Sequence, residues 1–238
     1  MRIVLVFVCL AAIGAAGLAL YKSGTLQFND PNPEEFKLLG IDVSHHQGEI
    51  DWEAVATSGV SFAYIKSTEG GDFVDPRFAA NWSASAQAGV PRGAYHFFTF
   101  CTPGRAQAEN FVRVARPTSK ALHPVADVEF VGNCKGFTDL KVVRDELAVF
   151  LSLVEEAWGR TPILYLTPDS LERVIGSELT GYPVWIRSVF TEPAPDAFRR
   201  WLLWQFSDNA RLPGIDGPVD RNALRPGESL AALGWPAA

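Results

Sequence analysis

With 238 residues, a formal charge of −6 and no cluster of Lys or Arg, the chain can bury one sizeable core but has nothing with which to grip a polyanion. Nucleic acid and electrostatic docking on an anionic membrane are excluded as partners on that ground. The aromatic supply is generous, with Trp 7, Tyr 5 and Phe 16, and would serve a sugar-binding cleft as well as a core.

Residues 1–20 stand apart. After Met1-Arg2, the run from Ile3 to Leu20 carries no charge, the pattern of a signal peptide or an N-terminal membrane anchor. Gly17-Leu18-Ala19 offers a small-x-small cleavage site, and Tyr21-Lys22 could equally close a span. The expectation is an exported protein, periplasmic, secreted or anchored to the membrane by residues 3–20. Residues 21–38 read as a tether, residues 39–225 as one folded domain and residues 226–238 as a C-terminal tail.

Strand-like runs then recur at regular intervals: Gly40 to Val43, Ser61 to Ser67, Gly93 to Phe98, Val125 to Phe130, Pro162 to Leu166, Val184 to Arg187, Leu202 to Phe206 and a weak one around Val219. Several are continuously apolar, as in a sheet covered on both faces. Asp139 to Trp158 is the strongest helix, with Leu140, Val143, Leu147, Phe150, Leu151, Val154 and Trp158 at helical spacing and Gly159 behind it. Residues 76–88, 105–115 and 169–175 predict shorter helices, while the crossings 187–201 and 207–219 are Pro- and Gly-rich with little room for one. The reading is an α/β fold, an irregular (β/α)8-like barrel of TIM type with incomplete helical padding in its last third. Its active site would lie at the C-terminal strand ends. An open doubly wound sheet is the competitor, but no G-x-G-x-x-G or P-loop is present.

In an oxidising compartment the two cysteines beyond the leader, Cys101 and Cys134, suggest one disulfide, with two free thiols as the alternative.

Carboxylates cluster at predicted strand ends. In the run His123 to Phe130, Asp127 and Glu129 stand two residues apart and would share one face. Two acids that close raise the pKa of at least one, which keeps a proton for general acid work. Asp42 tops the first strand, Glu69 the second, and Asp220 lies by the last. Glycoside cleavage needs a carboxylic acid for the leaving oxygen and negative charge beside an oxocarbenium-like centre. On this reading Glu129 is the proton donor and Asp127 holds charge beside it; a loop cap or salt bridge is the alternative for each acid singly. His45, His46, His96 and His123 supply no H-E-x-x-H, and the adjacent pair would face opposite ways on a strand, so no metal is expected. Ser44 and Ser67 lack a G-x-S-x-G elbow.

The segments Gly40-Ile41-Asp42-Val43-Ser44-His45-His46-Gln47-Gly48, Ile50-Asp51-Trp52, Tyr64-Ile65-Lys66-Ser67-Thr68-Glu69-Gly70, Gly93-Ala94-Tyr95-His96-Phe97-Phe98, Asp127-Val128-Glu129, Trp204-Gln205-Phe206-Ser207 and Val219-Asp220-Arg221-Asn222 resemble glycoside hydrolase family 25, the Chalaropsis-type lysozymes. The resemblance covers about residues 38–224. It implies a flattened β/α barrel without cofactor. The implied activity is that of an N-acetylmuramidase cutting the β-1,4 bond between N-acetylmuramic acid and N-acetylglucosamine. Peptidoglycan glycan strands would be its partner and a monomeric catalytic domain its working form. By the family pattern Glu129 is the acid/base, Asp127 assists the substrate's 2-acetamido group in a configuration-retaining route, and Asp42 and Asp220 line the cleft. Tyr64, Glu69, Tyr95, Tyr165 and Trp185 become candidates for substrate contacts, with core packing as the alternative for the rings. Unlike many secreted relatives, the chain shows no cell-wall-binding repeats after Leu224. A non-catalytic peptidoglycan-binding or scaffold protein, and a hydrolase of another N-acetylhexosamine polymer such as chitin, are the rival functions.

Overall fold

The computed structural model describes residues 2–136, 139–175, 179–194 and 201–236. After an amino-terminal helix α1 (Arg2–Lys22) come β1 (Leu39–Val43), α2 (Trp52–Thr57), β2 (Phe62–Glu69), β3 (Phe73–Val74), α3 (Phe78–Gln87), β4 (Arg92–Phe97), α4 (Gly104–Val114), β5 (Val125–Val128), α5 (Leu140–Trp158), β6 (Ile163–Leu166), α6 (Pro168–Val174), β7 (Val184–Arg187), β8 (Trp201–Ala210) and β9 (Val219–Leu224). The sheet order β1-β9-β8-β7-β6-β5-β4-β2-β3, with β1 also paired to β2, closes eight strands into a barrel and leaves β3 as an arm outside the ring.

The barrel is TIM-like with one reversal. β1, β2 and β4 to β8 run parallel, whereas β9 pairs antiparallel with both β8 and β1. A parallel neighbour needs a crossover of a dozen or more residues; an antiparallel one needs only a turn. The short connection from Ala210 to Val219, with Gly214 and Gly217 at positive φ, fits the second case. That reversal accounts for the lack of a helix between β8 and β9. For the crossing 187–201, residues 195–200 lie outside the described residues.

Burial explains the elements. β5 and β6 are buried at every position, because β5 has helices on one face and the barrel interior on the other. Along α5, Val143, Leu147, Phe150, Leu151, Val154 and Trp158 are buried; Asp139 caps its start by accepting from Lys141 N, and Gly159 ends it at φ 61°. One core lies between sheet and helices. A second fills the barrel, where Phe62, Tyr64, Leu122, Val125, Ile163 and Trp185 meet Leu233 from the C-terminal segment. His123 N donates to Leu233 O at 2.7 Å, so residues 230–235 floor the barrel. Two elements had no sequence signal: α2 is six residues long and β3 only two, too short for any period to show.

Among the described residues no helix is long and apolar enough to cross a membrane. Much of the run 3–20 lies outside the residues whose side chains are described, so the leader or anchor stays an expectation from sequence.

Candidate active site

The strand ends surround a cavity of about 120 Å³ lined by Asp42, Tyr95, Val125, Asp127, Glu129, Tyr165, Trp185, Gln205 and Asp220. Because β9 runs backwards, its first residues lie at the same rim as the last residues of the parallel strands. Asp220 therefore stands cross-strand from Asp42.

Two amides hold Asp42. Asn222 Nδ2 donates to Asp42 Oδ2 at 2.7 Å and Gln205 Nε2 at 3.2 Å. Each amide is oriented by an aromatic donor on its oxygen: Trp185 Nε1 to Asn222 Oδ1 at 2.9 Å, and Tyr165 OH to Gln205 Oε1 at 2.9 Å. With their oxygens occupied, both amides must present N–H to Asp42. Burial raises the Asp42 pKa, while these donors and a hydrogen bond from Asp220 pull it down. Asp220 is pushed well above the usual carboxylate range, by burial first and by the Asp42 charge second. The pair thus shares one proton, held on Asp220 and donated to Asp42.

The second pair is Asp127 and Glu129. β5 ends at Val128, so Glu129 is the first residue beyond the strand, yet both side chains line the cavity. Asp127 lies well above its ordinary pKa, chiefly through burial and then through the Glu129 charge. Glu129 is raised by burial too, against the lowering pull of Arg187. Asp127 Oδ1 is buried and has no hydrogen-bond partner among the described residues. An acceptor in that state is open to a donor brought by a ligand.

Of the other sequence candidates, Tyr95 lines the cavity, and Tyr165 and Trp185 line it while holding the amides. Tyr64 does not: it is fully buried against Phe62 and Trp185, beneath the cavity. Glu69 stands outside the lining in an ion pair with Lys66 at 2.7 Å, and that ammonium lies 4.9 Å over the Phe97 ring. Cys101 and Cys134 are joined as a disulfide. His96 is a core residue. Its Nδ1 meets Thr68 Oγ1 at 2.8 Å, its Nε2 meets Gln107 Oε1 at 3.1 Å, and it stacks on Phe150. Burial lowers its pKa to about 3, which keeps the ring neutral. His45 pairs with Asp75 at 2.8 Å, and His123 Nδ1 meets the Thr161 carbonyl at 2.6 Å.

Sequence reasoning gave no site role to Arg187, Gln205, Asn222 or Lys66. The last three lie inside segments that resemble the family, but nothing local says that an amide at 205 or 222 will reach a carboxylate at 42. Arg187 had a faint signal, a lone cation closing the apolar strand Val184-Trp185-Ile186.

The family model of the glycosyl hydrolases family 25 matches residues 41–215. The chain is 35% identical over 195 residues to Lysozyme M1 of Streptomyces globisporus, covering 77% of this chain and 66% of that one. The structure of a family 25 glycosyl hydrolase from Bacillus anthracis superposes with a TM-score of 0.78 at 34% identity, over 85% of this chain and 94% of the other. The bacterial lysozyme of Streptomyces coelicolor does so with a TM-score of 0.73, also at 34% identity, over 83% and 95%. A TIM-like barrel whose strand ends converge on four carboxylates, with these likenesses across most of its length, makes the chain a member of glycosyl hydrolases family 25 and a glycoside hydrolase.

Proposed function

We propose that the chain is an N-acetylmuramidase, a lysozyme that hydrolyses the β-1,4 bond between N-acetylmuramic acid and N-acetylglucosamine in peptidoglycan. The observation that carries this reading is the convergence of Asp42, Asp127, Glu129 and Asp220 on one cavity, supported by the similarity to Lysozyme M1.

The Asp127–Glu129 pair, both raised above the ordinary carboxylate range and titrating together, carries its proton on Glu129 when substrate is bound, and Glu129 gives it to the glycosidic oxygen as the bond to C1 breaks. The carbonyl oxygen of the substrate's own 2-acetamido group closes on C1 from the opposite face. Asp127 Oδ1, buried and unpartnered, accepts the amide N–H and supports the positive charge that develops on the ring so formed. The Glu129 carboxylate then takes a proton from water as that water adds to C1 and reopens the ring. Configuration is retained by two inversions. The Asp42–Asp220 pair, fixed by Asn222 and Gln205, lines the other side of the cavity as a contact for sugar hydroxyls. The enzyme would act outside the cytoplasm, on the cell wall, with residues 1–20 as its export or anchoring signal.

The test is mass spectrometry of products from purified peptidoglycan, comparing the full chain with its Glu129→Gln variant. The expected result is release of muropeptides with reducing N-acetylmuramic acid ends by the wild type. In the variant, turnover should fall by about 10²–10⁴-fold, the usual contribution of a positioned acid. A folded wild type that sediments with the wall and releases nothing would transfer the assignment to a binding protein. Intact sacculi beside cleaved chitin would transfer it to another N-acetylhexosamine polymer.

A further inference from the structure

The end of α1 and the segment that follows it form no free tether. They lie across β8 and the turn that follows β7. Asn209 Nδ2 donates to the Tyr21 carbonyl at 2.5 Å, Ser207 Oγ to Gln27 Oε1 at 2.5 Å, and Asn29 Nδ2 to the Ser188 carbonyl at 3.2 Å. Gly24 has φ 76°, and a Cβ there would stand 2.6 Å from the Asn209 carbonyl oxygen. The strap approaches β8 more closely than a side chain would allow.

At the head of the strap, Tyr21 OH donates to Asp208 Oδ1. The other oxygen of Asp208 accepts from Arg187 Nη2 at 2.6 Å. Arg187 closes β7 at the rim of the active-site cavity, two strands from Glu129. A phenol, a carboxylate and a guanidinium therefore form a continuous chain from the amino-terminal segment to the edge of the catalytic site. Burial, then the bond to Asp208, push the phenol up to about 12, so Tyr21 stays a donor throughout the range in which an enzyme of this kind would work.

We propose that Tyr21 is a positioning residue: by tying down Asp208 it fixes the Arg187 guanidinium beside Glu129 and Asp220, which makes the strap part of the catalytic wall. The proposal rests on the glycosidase reading of the cavity. The groups that face Arg187 are Tyr165 from β6, Asp208 from β8, Asp220 from β9, Glu129 after β5, Asp42 from β1 and Tyr21 itself. Four of these are carboxyls, and an Arg not fixed by Asp208 is free to swing toward Asp42 and Asp220 and away from Glu129. With Oδ1 bound by Tyr21 and Oδ2 by Arg187, Asp208 is held at both oxygens, and the cation stays where its field eases ionisation of Glu129. An unfixed cation would leave Glu129 holding its proton more tightly than the return of that group to a base requires.

The experiment is steady-state kinetics of the full-length chain in detergent on soluble glycan fragments of peptidoglycan, across pH. The variants are Tyr21→Phe, Asp208→Asn, Arg187→Lys, Arg187→Gln and the double variant Tyr21→Phe/Arg187→Gln. Tyr21→Phe is expected to lower kcat about 3–10-fold with KM inside about twofold, since it disturbs an interaction of the reacting state. The alkaline limb of its kcat profile should move to higher pH, because Glu129 loses part of a stabilising positive field. Asp208→Asn should reproduce both effects, which keeps the test decisive should Tyr21→Phe fail to fold. Arg187→Lys should hold the limb nearer the wild-type position than Arg187→Gln does. On the Arg187→Gln background Tyr21→Phe should add less than about twofold, as residues acting through one another are non-additive. Wild-type kcat and limb in Tyr21→Phe, or its full loss persisting on the Arg187→Gln background, would overturn the strap's role alone. A wild type without turnover would overturn the glycosidase reading and this proposal with it.

Discussion

Asp220→Asn should make the protein more stable, and more so as pH rises. In the native state Asp220 holds its proton well above the ordinary carboxylate range because it is buried next to Asp42, whereas in the unfolded chain an aspartate titrates near about 4. A group whose folded pKa is raised contributes no penalty below the unfolded value. Above it the native state binds a proton that the unfolded state has released, and stability falls with pH until the folded pKa is passed. The slope is about 1.4 kcal/mol for each pH unit in that window. Asparagine supplies an N–H where the protonated carboxyl supplied an O–H, so the bond to Asp42 survives and the titration does not. For a domain of this size 1 kcal/mol corresponds to about 2–4 °C in Tm. The variant's advantage should therefore be near zero around pH 4 and grow by about 3–6 °C for each pH unit of the window. Calorimetry of both proteins from pH 4 to pH 8 measures it. A Tm difference that is constant across pH, or a variant that loses ground as pH rises, would refute the shared-proton description of the pair. Gain in stability with loss of turnover is the expected cost of a site built from crowded acids.

Two further predictions concern the frame around the site. Gly104 opens α4 where a Cβ would stand 1.8 Å from the Glu146 carbonyl oxygen; Gly104→Ala should force α4 off α5 and cost about 1–3 kcal/mol, read as an earlier midpoint in urea. Reduction of the Cys101–Cys134 bridge, which closes a loop of sequence separation 33, should cost about 3–4 kcal/mol, visible as a lower Tm in dithiothreitol than in oxidised buffer.

The legibility of the chain divides along physical lines. Elements that bury a full period declared themselves: α5 shows six buried residues on one face, β6 reads as an unbroken apolar run, and β5 and β7 each carry one charged residue. The rim positions of Asp42, Asp127 and Glu129 followed from β1 and β5, since a strand's end is where its last acid must emerge. Lost to the sequence was everything set by pairing across the barrel. The reversed direction of β9 has no local signature, because Val219-Asp220-Arg221-Asn222 would look the same on a parallel strand. The fate of the aromatic residues was equally hidden. Tyr64 and Tyr165 lie on strands of one sheet with much the same surroundings in sequence, yet Tyr165 reaches Gln205 at the cavity while Tyr64 points into the barrel and leaves its hydroxyl without a partner. The bound strap was hidden in the same way. Residues 21–29 are polar enough to read as a solvated tether, and what holds them is contact with residues 188 and 207–209, far along the chain.

The reversal of β9 is more than a topological detail, because it decides which acids can meet. In an all-parallel barrel each strand brings its own carboxyl-terminal residue to the rim, and neighbouring acids are separated by the stagger of the strands. An antiparallel strand instead brings its first residues to that rim and sets them directly opposite a neighbour's last ones, here Asp220 against Asp42. Direct cross-strand partners are the closest pairs a sheet can make. Two aspartates at that distance cannot both ionise in a buried site, so one keeps a proton and donates it to the other. On the far wall Asp127, on β5, and Glu129, just beyond its end, both line the cavity and both are raised. The cavity therefore holds two coupled acid pairs made by different means, one across strands and one at the end of a single strand. With Arg187 held at the rim by an element from outside the barrel, the net charge of the site stays low enough for the fold to tolerate four carboxyls in one cavity.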